Sequence, residues 1–76
     1  TVDIEIFAND RRGLLADIIK ELYNQKTKLM AVNCRANKEK IAITEITVEV
    51  ENLDELNKVL KGLRKVDSVY EVTRKK

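Results

Sequence analysis

The sequence predicts an α+β domain of element order βαββαβ, with a four-stranded antiparallel sheet in strand order 2-3-1-4 and two helices on one face. Three observations predict it. In the first segment Val2, Ile4 and Ile6 alternate with Asp3, Glu5 and Phe7, a period of two, and a longer alternation recurs at 41–51. Two other segments, near 12–25 and after Asn52, carry apolar residues at helical spacing. The chain is 76 residues long and has no proline or internal repeat to divide it, so these elements belong to one domain, 1–76.

In strand 1, about 2–8, Val2, Ile4 and Ile6 face inward. Asn9-Asp10-Arg11-Arg12-Gly13-Leu14-Leu15 then forms a strand-to-helix corner. It holds one of the two glycines, and glycine in a first helical turn costs roughly 0.5–1 kcal/mol against alanine. Either the backbone there needs an angle that glycine tolerates best, or something approaches it closely. Helix 1, about 12–25, carries Leu14, Leu15, Ile18, Ile19, Leu22 and Tyr23, and Lys26 and Lys28 follow at its negative end.

Strand 2 is expected at 29–36, with Met30, Val32 and Cys34 inward, and Asn37-Lys38-Glu39-Lys40 as a polar hairpin loop. Strand 3, about 41–51, places Ala42, Thr44, Ile46, Val48 and Val50 inward. Asn52 reads as the N-cap of helix 2, with Glu55 completing a capping box. Leu53, Leu56, Val59, Leu60 and Leu63 form that helix's apolar stripe. In the last strand, from Val69, Tyr70 and Val72 are favoured inward, with Val69 competing and a bulge able to bury both. This split βαβ plan is the ferredoxin-like fold.

Composition removes several function classes. One cysteine and no histidine leave neither an internal disulfide nor a Cys/His metal site, and no cofactor is expected. Cys34 reads as a small buried residue. Fifteen basic and thirteen acidic residues give a net charge of +2, spread over both halves, so gross charge offers nucleic acid little. No apolar run approaches a membrane span, and a cytoplasmic location is expected. The start at Thr1, one residue before a strand, suggests a domain excised from a longer multidomain protein.

The predicted plan hosts many functions. A metal chaperone of this shape needs paired cysteines in the first corner. A phosphate-cradling enzyme needs a richer backbone nest than one glycine beside Arg11, Arg12 and Asn33 supplies. An RNA-recognition sheet needs stacking aromatics on strands 1 and 3, and only Phe7 is present. Phe7, Ile41 and Ile43 instead form an apolar spot at the sheet end that carries the corner. Strand 2 has one charge, Arg35, and neither proline nor glycine. Such an edge invites pairing, so a homodimer is expected through Met30, Ala31, Val32 and Asn33.

Asp10-x-x-Gly13-Leu14-Leu15 between strand 1 and helix 1 resembles the ACT domain, a regulatory amino-acid-binding module, and the resemblance covers the whole chain. Asp10-Arg11-Arg12-Gly13-Leu14-Leu15-Ala16-Asp17-Ile18, Val32-Asn33-Cys34-Arg35 and Val69-Tyr70-Glu71-Val72-Thr73-Arg74 look most like the C-terminal ACT domain of RelA/SpoT-type (p)ppGpp synthetase/hydrolases. In the family, asparagine often stands at the position of Asp10 and proline at that of Arg12. The resemblance implies a non-catalytic domain that regulates the catalytic domains of a GTP pyrophosphokinase parent. It also implies a small amino-acid effector bound between subunits at Asn9, Asp10, Arg11, Arg12, Gly13 and Leu14. The alternative is a module contacting ribosomal RNA through Arg11, Arg12, Arg35 and the basic residues of helix 2.

Overall fold

Residues 1–75 are described by a computed structural model. Its elements are β1 (Val2–Asn9), α1 (Leu14–Asn24), β2 (Lys28–Ala36), β3 (Ile41–Glu49), α2 (Leu53–Arg64) and β4 (Val69–Lys75). They form one antiparallel sheet in the order β2-β3-β1-β4, as the sequence predicts. Two elements are shorter than expected by a residue or two: α1 begins only after Gly13, and β3 stops at Glu49 rather than 51.

β1 and β3 pair without interruption from Val2↔Val48 to Asn9↔Ile41. Both strands are flanked on each side, so their alternate residues meet the helices squarely. Ile4, Ile6, Ala42, Thr44, Ile46 and Val48 are buried there against Leu14, Ile18, Leu22, Leu56, Val59 and Leu63. Ala8, absent from the expected inward set, is buried with them. The outer face keeps Asp3, Glu5, Glu45, Thr47 and Glu49, and Thr47 Oγ1 donates to Asp3 at 2.7 Å.

The edge strands depart from the sequence reading. Between Leu29 and Ala31 the register with β3 shifts, so Leu29 sits opposite Val48 and Met30 is the extra residue of a bulge. Val32 and Cys34 lie opposite Ile46 and Thr44, on the helix side as expected. Met30, Val32 and Cys34 are nevertheless exposed, because β2 is the outermost strand of the sheet. Cys34 is therefore not a buried residue, although its sulfur accepts a hydrogen bond from buried Thr44 Oγ1 at 3.1 Å.

On the opposite edge a second shift puts Val69 opposite Ala8 and Glu71 opposite Phe7, with Tyr70 bulged out and exposed. Val69 and Val72 take the inward places, correcting the preference for Tyr70.

Helix ends follow local chemistry. Asn52 caps α2 by accepting from the Glu55 amide at 2.8 Å. The Glu55 carboxylate returns to the Glu51 amide at 3.2 Å, one residue earlier than a standard box. Leu53, counted in the apolar stripe, is exposed in the first turn. Where α1 ends, Thr27 N–H reaches the Leu22 carbonyl and Lys26 N–H the Tyr23 carbonyl. This is a Schellman closure with Lys26, rather than glycine, in the left-handed position at φ 58°.

Candidate functional site

The β1–α1 corner is where three chain segments meet. At the end of β1, the Asn9 amide donates to the Ser68 carbonyl at 3.0 Å, and the Asp10 amide donates to the Lys40 carbonyl at 2.8 Å. The β2–β3 hairpin and the α2–β4 turn thus hold the corner from two sides. Both contributing residues have left-handed backbones, Lys40 at φ 62° and Ser68 at φ 79°. The hairpin is further tied by the Asn37 side chain, which accepts from the amides of Glu39 and Ile41.

Gly13 is the N-cap of α1, at φ 81°, ψ 2°. Residues with a Cβ pay roughly 1–2 kcal/mol for such angles, which explains the glycine. Space is also open: the nearest atom to a Cβ built there is an Arg11 guanidinium nitrogen at 4.0 Å. Of the two reasons considered for this glycine, the structure shows the backbone angle. Among the described residues no side chain caps the helix start; the Leu14 amide donates to the Arg11 carbonyl at 3.3 Å, and those of Leu15 and Ala16 remain at the positive end of the helix dipole.

The six corner residues fall into different roles. Leu14 is buried and anchors α1 to the sheet. Asn9, Asp10, Arg12 and Gly13 are exposed. Among the described residues the Asp10 carboxylate makes no hydrogen bond or ion pair, and neither arginine engages it. Arg11 turns the other way. Its Nη2 lies 2.6 Å from Asp17 Oδ2 and 3.0 Å from the Asp67 carbonyl, and Nε lies 3.1 Å from Ser68 Oγ. Sequence reasoning missed this use of Arg11 because two of its partners lie 56 and 57 residues away.

Phe7 and Ile43 sit opposite each other beside the corner on the outer face, with Ile41 opposite Asn9. All three are half-buried, as cross-strand packing makes them.

The expected dimer edge lies on the outermost strand, and Met30, Ala31, Val32 and Asn33 are all exposed. Sequence reasoning missed what adjoins it. On α1, Leu15, Ile19 and Tyr23 recur every fourth residue and are exposed, Tyr23 by 71%. Ile19 and Tyr23 border a depression of about 380 Å³ whose other wall is Thr27 and Leu29. With Met30 and Val32, the exposed apolar surface runs from α1 onto β2. The helical spacing of this stripe was visible; its exposure was not.

A family model described as the ACT domain matches residues 1–74. The chain is 39% identical over 74 residues to the GTP pyrophosphokinase of Haemophilus influenzae, covering 96% of this chain and 10% of that protein. It is 30% identical over 73 residues to the bifunctional (p)ppGpp synthase/hydrolase RelA of Mycobacterium tuberculosis, covering 96% and 10%. The chain thus spans about a tenth of the length of these relatives. Among solved structures, it superposes on the ACT domain of the Chlorobium tepidum GTP pyrophosphokinase with a TM-score of 0.84 at 27% identity, covering 97% of this chain and 95% of that one. The small subunit of acetolactate synthase from Thermotoga maritima shares the fold, with a TM-score of 0.85 at 11% identity, covering 96% and 45%.

Proposed function

The chain belongs to the ACT domain family, and from that premise we propose that it is the non-catalytic regulatory domain of a (p)ppGpp synthetase/hydrolase. In this reading it receives a small amino acid at the β1–α1 corner and answers by changing domain or subunit contacts. The observation that carries the reading is the start of α1, where a left-handed Gly13 with open space beside it stands in place of a capping side chain. A ligand carboxylate suits the first-turn amides of Leu15 and Ala16, the Leu14 amide being taken by the Arg11 carbonyl. The free Asp10 carboxylate suits the ligand's ammonium group.

The domain works as a homodimer in this proposal, with β2 pairing antiparallel to its symmetry mate and extending the sheet to eight strands. The exposed stripe of Leu15, Ile19 and Tyr23 beside Met30 and Val32 supports it, since one two-fold operation brings strand edge and stripe against their own copies. Antiparallel pairing also sets the start of the mate's β2 beside the end of β2, at the sheet end that carries the corner. A ligand then biases the assembly only through unequal affinity for its alternative arrangements.

Calorimetry with each of the twenty amino acids, on the wild type and on Gly13→Ala and Asp10→Ala, tests the site. Binding that both substitutions leave unchanged removes the corner from it. The RNA-contacting reading retains Arg12, Arg35, the exposed row Lys58, Lys61 and Arg64 on α2 and Lys65 at its C-cap, but Arg11 is occupied internally. Steeply salt-dependent binding to ribosomal RNA, without any amino-acid response, would favour that alternative.

A further inference from the structure

We propose that Arg11 is a positioning and specificity residue of this corner, clamping the Gly13 loop to the α2–β4 turn with four of its five N–H groups and offering the fifth to one acceptor oxygen of the ligand. The proposal rests on the reading of the corner as an effector site and adds how that site is held and what it selects.

The guanidinium reaches three segments at once. Nε–H is shared between Ser68 Oγ at 3.1 Å and the Asp67 carbonyl at 3.3 Å. The two Nη2 hydrogens go to Asp17 Oδ2 at 2.6 Å and the Asp67 carbonyl at 3.0 Å. One Nη1 hydrogen goes to the Arg12 carbonyl at 3.2 Å. Corner, first turn of α1 and α2–β4 turn are thereby held by one planar group.

An ordinary exposed ion pair does not account for this set. Such pairs contribute roughly 0.2–1 kcal/mol and hold no particular geometry. Here the Asp17 contact is one of several, and the others fall on backbone carbonyls and on Ser68, whose own backbone is left-handed. A guanidinium is rigid, so fixing Nε and Nη2 also fixes Nη1. That nitrogen keeps one N–H without an acceptor among the described residues, and it is the atom 4.0 Å from where a Cβ on Gly13 would stand. A ligand that uses the bare Cα of Gly13 on that side therefore meets a pre-oriented donor. Lysine cannot reproduce the arrangement, because its single ammonium carries no fork.

Amide NMR spectra of the 76-residue chain test both halves. Without ligand, Ser68→Ala is expected to displace the Gly13 and Asp17 amide signals, and to do so at least threefold less when combined with R11K. Equal displacement in both backgrounds overturns the clamp. R11Q gives the same comparison should R11K lose its dispersed spectrum. With ligand, each of the twenty amino acids is titrated singly. One that shifts Gly13 in the wild type is expected to bind R11K about tenfold or more weakly, the loss of one charge-assisted hydrogen bond. Equal affinity overturns the ligand half. If none of the twenty shifts Gly13, the effector reading and the ligand half fall together, while the ligand-free comparison still decides the clamp.

Discussion

Gly62 in α2 faces Gln25 at the end of α1 so closely that a Cβ on it would stand 1.9 Å from Gln25 Nε2. It would also stand 2.8 Å from Glu21 Oε2, the atom to which Gln25 Nε2 donates at 2.9 Å. The absent side chain lets this polar pair lie between the helices. The obstructing atoms are tips of flexible side chains, and alanine favours a helix interior over glycine by about 1 kcal/mol. Gly62→Ala is therefore expected to leave stability within about 1 kcal/mol of wild type. Gly62→Leu, which has to part the helices, is expected to cost about 1–3 kcal/mol. Urea midpoints of the two variants check the contrast.

Gly13 behaves oppositely. Its surroundings are open but its φ is 81°, so the penalty lies in the backbone and not in a clash. Gly13→Ala is expected to lower stability by about 1–2 kcal/mol, and Gly13→Asn by less, since asparagine tolerates left-handed angles better. Thermal unfolding followed by circular dichroism orders the three proteins.

Lys26 occupies at φ 58° the position where helices commonly end in glycine. Lys26→Gly removes the Cβ conflict while keeping both closing amide bonds. A gain of about 1 kcal/mol is expected, partly reduced by glycine's greater freedom in the unfolded chain. An unchanged or lower urea midpoint would contradict it.

Lysine on β2 separates the two components of the proposed dimer surface. Val32 belongs to the exposed apolar patch, while Ala31 lies opposite Thr47 on the other side of the sheet. Val32→Lys is expected to raise the dimer dissociation constant more than Ala31→Lys does. Sedimentation equilibrium measures both, and a wild-type chain that stays monomeric at millimolar concentration refutes the dimer.

The central strands were legible because β1 and β3 are each flanked on both sides, and Val2, Ile4, Ile6 and Ala42 to Val48 follow the simple alternation this requires. Asn52 was legible because a cap is a contact between residues three apart. Tyr70 was misjudged because one extra residue in β4 inverts which neighbour faces the core. Alternation alone does not locate a bulge. In the corner, the need for Gly13 was readable from the composition of a helix start, and the employment of Arg11 was not.

From the residues alone came the order of elements, the inward faces of β1 and β3 and the glycine corner, set by interactions between near neighbours and by side-chain period, and with them the strand order that the βαββαβ plan carries. Tertiary structure decided what those patterns leave open. Val32 and Cys34 point to the same side as buried Ile46 and Thr44, yet remain exposed on the outermost strand. Leu15, Ile19 and Tyr23 have the spacing of core residues and lie outside the core. Arg11 finds its fixed geometry against Asp67 and Ser68 only once the last strand has returned beside the first. A period states which side a residue faces; whether anything covers that side depends on packing between segments distant along the chain.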